Sequence, residues 1–175
     1  MIRRILNIVF FTIGLVSIAG CSGGIEPPEP VTGPTGFTGK ITFIGNWPAG
    51  ITRTHLVVYK NPIVSDADFS YPNLSAILRS VDYGSTEFVF NSTADNLFAN
   101  SEIEPGDYLY VAVAQSRTEY LSLERRDWNV IGVYYQEGNN STPGVLRIEK
   151  NKITQGINII CDFNNPPPQP PGGNQ

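Results

Sequence analysis

The stretch Glu104-Pro-Gly-Asp-Tyr-Leu-Tyr-Val-Ala-Val-Ala-Gln115 decides how the chain is read. Pro105 and Gly106 stand at the central positions of a type II turn, where proline presets φ and glycine takes the positive φ. Beyond the turn, Leu109, Val111 and Val113 alternate with Tyr108, Tyr110, Ala112 and Ala114. A period of two with apolar side chains on both faces predicts a central strand covered from both sides.

The same period continues outward. "GKITFIG" (39–45) sets Ile41 and Phe43 against Lys40, Thr42 and Ile44, and "THLVVYK" (54–60) sets Leu56 and Val58 against His55, Val57 and Tyr59. "STEFVFN" (85–91), "NVIGVYYQ" (129–136), "GVLRIEK" (144–150) and "INIICDF" (157–163) complete about seven strands rich in Val, Ile, Tyr and Phe. Loops at Tyr83-Gly84-Ser85 and Gly138–Gly144 separate them. Leu74, Ile77, Leu78 and Val81 have helical spacing, but "AILRSV" (76–81) also reads as a strand. The reading leans to the strand, with a short helix over 74–81 as the alternative.

Short strands divided by Gly and Pro turns predict an all-β fold, a single antiparallel β-sandwich over 38–165. Its expected core is Ile41, Phe43, Leu56, Val58, Phe88, Phe90, Leu109, Val111, Val113, Val130, Leu146, Ile148, Ile157 and Ile159. Residues 21–37, dominated by Gly, Pro and Thr, read as a flexible tether. "NNPPPQPPGGNQ" closes the sequence, and 166–175 reads as a proline-rich tail in polyproline II or disorder.

Residues 1–20 have the three parts of a secretory signal: Arg3 and Arg4, an apolar run from Ile5 to Val16, and small residues before Cys21. The run is shorter than the roughly 20 apolar residues of a membrane span. Ile18-Ala19-Gly20-Cys21 resembles the bacterial lipobox. That resemblance implies cleavage between Gly20 and Cys21, a diacylglycerol on the Cys21 thiol and acylation of the new amine. Ser22 in place of Asp matches the outer-membrane sorting pattern of enteric bacteria. The expected location is therefore the bacterial cell envelope, with the protein held to the outer membrane by its lipid.

Removing residues 1–20 leaves 155, enough for one domain with a real core. Ten basic residues then face sixteen acidic ones, a net charge of −6. An acidic chain without a basic cluster argues against a nucleic-acid partner. Cys161 is the one cysteine besides the lipidated Cys21, so no internal disulfide is expected. It shares a face with Ile157, Ile159 and Phe163, which predicts a buried, inert thiol.

His55 is the single histidine, so a Ser-His-Asp triad would have to use it. Its place in an alternating strand predicts a side chain facing solvent or a partner sheet. One His and one buried Cys do not make a zinc site of the usual ligand types. Asp66 and Asp68 lack the Gly and closing Glu of a calcium loop. Glu102 and Glu104 read as a solvated strand entry, and "LERRDW" (123–128) as a local charge cluster. The chain is read as non-catalytic, with no metal and no cofactor. The candidate ligand-binding residues are aromatic: Trp47, Trp128, Tyr134 and Tyr135. Exposed rings stack on sugars or anchor interfaces, and the alternative for both tryptophans is that they cap the ends of the core.

"GKITFIGNWP", "IEPGDYLYVAVAQ", "WNVIGVYY" and "GINIICDF" together resemble bacterial lipoproteins with a transthyretin-like (prealbumin-like) sandwich, akin to the regulatory domain beside carboxypeptidases. The motif that carries this is the Pro-Gly turn and aromatic-rich strand of Pro105, Gly106, Tyr108, Tyr110 and Val111. The resemblance implies an accessory module without catalytic residues: a structural or protein-interaction unit bound to the membrane by lipid, with another envelope protein as partner. A glycan-binding module is the alternative.

Overall fold

A computed structural model describes residues 32–97 and 102–173. The signal, the lipobox with Gly20 and Cys21, and residues 22–31 of the expected tether lie outside the described residues.

The described chain is all-β, with twelve strands and three short helical turns. β1 (Gly36–Ile44) carries a mixed sheet. β4 (Glu87–Asn91) pairs antiparallel with it, while β11 (Ile153–Thr154) and β12 (Ile159–Asp162) pair parallel to its first and second halves. A second sheet, wholly antiparallel, runs β3 (Leu74–Ile77), β2 (Arg53–Tyr59), β6 (Tyr110–Ser116), β7 (Asn129–Val133). Two ribbons complete the set: β5 (Gly106–Tyr108) with β10 (Leu146–Ile148), and β8 (Tyr135–Gln136) with β9 (Asn139–Pro143).

β6 is the central strand that its two apolar faces predicted. All seven of its residues are buried, between β2 and β7. Val111 and Val113 enter a core shared by both sheets with Ile41, Phe90 and Ile159, while Tyr110 and Ala112 enter a second cluster on the other face. That second cluster is closed by Ile63 and Phe69 from the segment between β2 and β3. Residues 74–77 form the strand rather than the helix, and Leu78 extends it with a bridge to Asn96.

Several expectations need correction. The expected antiparallel arrangement fails at β1, whose partners β11 and β12 run parallel to it. Alternation fixes which face a residue takes, not the direction of a partner more than a hundred residues away. Leu109, expected in the core, is 37% exposed. β5 leaves the line of β6 there to pair with β10, which turns Tyr108 into the main core with Leu146. Phe88 is half-buried because β4 has one strand partner, β1, and the Arg79 guanidinium lies 4.6 Å over its ring. Val130 is buried, but in the second cluster.

Both ends of the expected domain also move. Phe37, assigned to the tether, is fully buried with its ring edge-on to Phe90, and its amide donates to Ser92 Oγ at 2.8 Å. The fold therefore begins near Thr35. Within the proline-rich segment, residues 166–173 are described and make specific contacts with the domain. Gln169 Nε2 donates to the Val130 carbonyl and Gln169 Oε1 accepts from the Val130 amide, both at 2.8 Å. Prolines give up the amides that a ladder would use, so the segment is held by a side-chain amide and by its carbonyls instead.

Candidate functional site

The four candidate aromatics do not form one surface. Trp47 follows β1 and closes one end of the main core. Its ring lies 4.8 Å from Phe43 and 5.4 Å from Phe163, and its Nε1 donates to the Ser85 carbonyl at 2.9 Å. Tyr83 packs edge-on against its outer side at 5.3 Å. Trp128 is only 3% exposed. It donates from Nε1 to the Ser122 carbonyl at 2.9 Å, and its ring meets His55 at 5.8 Å, so no face is left for a ligand. Tyr134 packs against the main core, whereas its neighbour Tyr135 packs against the second cluster. Successive residues of an extended chain point opposite ways, so the two tyrosines act on different sides.

The groups with acid–base or nucleophilic chemistry sit inside. His55 is buried, with Nδ1 2.7 Å from the Leu78 carbonyl. A carbonyl accepts, so Nδ1 carries the proton and Nε2 is left as an acceptor. Nε2 and the buried Tyr59 hydroxyl have no hydrogen-bond partner, and both residues line a cavity of about 20 Å³. That is room for one water. Burial lowers the His55 pKa, against the pull of the Leu78 hydrogen bond, and keeps the ring neutral. Burial also raises the Tyr59 hydroxyl and pushes Tyr110 up to about 12. Cys161 is fully buried, and desolvation raises its thiol pKa steeply.

The carboxylates serve local structure. Asp68 accepts from the Ser65 amide at 2.8 Å and the Val64 amide at 3.1 Å. The Glu102 carboxylate accepts from the Thr35 amide at 3.4 Å. Among the described residues, no group of three or more His, Cys, Asp or Glu side chains is arranged to hold a metal ion.

Among the described residues, an open groove of about 450 Å³ lies where β7 meets β12. Gly132 lets the two strands approach: a Cβ there would stand 2.5 Å from Cys161 Sγ. The β8–β9 ribbon contributes Tyr135, Gln136, Glu137 and Asn140 to the groove, β12 and the residue before it contribute Asn158, Ile160 and Asp162, and Asn165–Pro168 add a further side. Its described lining thus carries amides, two carboxylates and one tyrosine ring, without Lys or Arg. Tyr135 is the one sequence candidate found there. The amides were missed because "GNNSTPG" and "NNPPP" read as loop and tail, and only the approach of β12 to β7 joins them. No protein-family model, curated protein or solved structure matches this chain.

Proposed function

We propose that the protein is a lipid-anchored, non-catalytic lipoprotein of the bacterial cell envelope, built as a transthyretin-like β-sandwich and acting as a structural or protein-interaction module. Two sheets with a common core support the sandwich reading. Ile18-Ala19-Gly20-Cys21 supports the anchor. The observation that carries the non-catalytic reading is that His55 and Cys161 are enclosed and held neutral in the interior, while the open surface offers hydrogen bonds. The outer membrane is the proposed site, through the Cys21 lipid. Fractionation tests this: Cys21→Ser protein is expected to leave the membrane fraction and to run without the lipid's mobility shift. A Cys21→Ser protein that stays in that fraction at unchanged mobility overturns the anchor.

The groove favours a second reading, a glycan-binding module. Amides donate to and accept from sugar hydroxyls, carboxylates accept from them, and the half-buried Tyr135 offers a ring for stacking. Its volume falls in the range of small-ligand sites, about 300–1,000 Å³. Calorimetric titration with a panel of neutral oligosaccharides tests it. Binding lost in Tyr135→Ala supports the groove, and no heat with any member of the panel removes the reading.

A further inference from the structure

The contacts of residues 165–173 are too specific for a spacer. Gln169 satisfies both backbone groups of Val130 along one edge of β7, as a neighbouring strand would. Arg125 is buried, and its Nη2 donates to the Pro170 carbonyl at 2.9 Å. The Phe69 ring lies 5.8 Å from that guanidinium. A Cβ on Gly173 would stand 2.5 Å from Arg125 Nη2, and one on Gly172 would collide with the Asp66 carboxylate. Each of these contacts reads a particular feature: an amide at 169, a free carbonyl at 170, and no side chain at 172 or 173.

We infer that the strip formed by the Val130 edge, Arg125, Phe69 and Asp66 is a docking site for an extended proline-rich segment. The chain fills it with its own residues 166–173, and the partner it fits is the same segment of a second copy. Proline-rich segments lose little entropy on docking because they are already extended, and they present carbonyls to donors. The segment joins β12 through a turn closed by the Asn165 amide on the Asp162 carbonyl at 3.1 Å, and it belongs to no strand. It can therefore leave without unpairing a sheet. Exchange of one element between identical chains is a low-cost route to a dimer. This deepens the interaction-module reading by naming a site and a partner. The test uses purified protein, so its outcome is independent of where the protein resides.

The probe is a fluorescein-labelled peptide of residues 164–175, followed by anisotropy. It is titrated into the full chain in detergent and into a full chain whose residues 166–173 are replaced by alternating Gly and Ser. The replaced chain is expected to bind the peptide at least tenfold more tightly than the native chain, and Arg125→Ala in that background is expected to abolish binding. Equal binding to both chains, or binding to neither, overturns the inference. Should the replaced chain lose its near-ultraviolet dichroism, the same titration on Gln169→Ala decides. A tenfold gain over the native chain there supports the site, and no gain overturns it.

Discussion

Gly132 on β7 lies so close to Cys161 on β12 that an added Cβ would stand 2.5 Å from the thiol sulfur. The same Cβ would meet Ile159 Cγ2 at 2.9 Å and the Ile160 carbonyl oxygen at 3.0 Å. This contact joins the second sheet to the first and sets the floor of the groove. Gly132→Ala is therefore expected to destabilise the fold by about 1–3 kcal/mol, the usual cost of overpacking. Urea unfolding measures it. Cys161→Ala in the same chain should recover part of the loss, because the sulfur gives way and the Ile160 backbone does not. Full additivity of the two substitutions would show that they do not share this space.

Phe37 gives the second prediction. It is the one large apolar residue in a run of Gly, Pro and Thr, and it is fully enclosed against Phe90. Phe37→Ala should cost about 3–5 kcal/mol, as other buried phenylalanines do. A substitution in the exposed run just before it, Pro34→Ala, should lie within about 0.5 kcal/mol of the native chain. A near-zero effect of Phe37→Ala in the same urea experiment would return residue 37 to the tether.

These two positions mark what the sequence could and could not convey. β6 was legible because Tyr110–Ala114 keep one period with apolar side chains on both faces, and every residue of the strand is buried. The parallel pairing of β1 with β12 was not, since side-chain alternation is the same for either direction. Tyr108 and Leu109 were assigned to the faces that an unbroken strand would give them. The departure of β5 toward β10 reverses both, and that depends on a partner about forty residues away. Phe37 and Gln169 were hidden by their neighbours: composition averaged over a window says tether or tail, while a single side chain does the anchoring. The groove was legible only at Tyr135, because its other polar residues lie on separate segments that meet through Gly132.

Cys161 should behave as a thiol without chemistry until the fold opens. Its burial raises the pKa, so the thiolate that reacts is scarce across the neutral range. With a disulfide reagent at pH 7–9, the native chain should label no faster than it unfolds, and labelling should become complete in denaturant. Rapid native labelling would place the sulfur within reach of solvent and contradict the packing against Gly132.

His55 makes stability depend on pH in a defined direction. Burial lowers its pKa in the folded chain below the ordinary 6.5 that it regains on unfolding. Between those two values the unfolded chain binds the extra proton, so stability is full above about pH 7 and falls as the pH drops through 6.5. The slope contributed by one such group is at most about 1.4 kcal/mol per pH unit. Hydrogen bonds hold the Asp68 and Asp107 carboxyls below their ordinary 3.8, from Ser65 in one case and Arg147 in the other, so they titrate outside this window. His55→Gln keeps a donor for the Leu78 carbonyl and cannot ionise. Urea unfolding of both chains between pH 5 and 8 should show the decline in the native chain and a flatter profile in His55→Gln. The same slope in both chains would mean that His55 takes up its proton as readily folded as unfolded, against the effect of its burial.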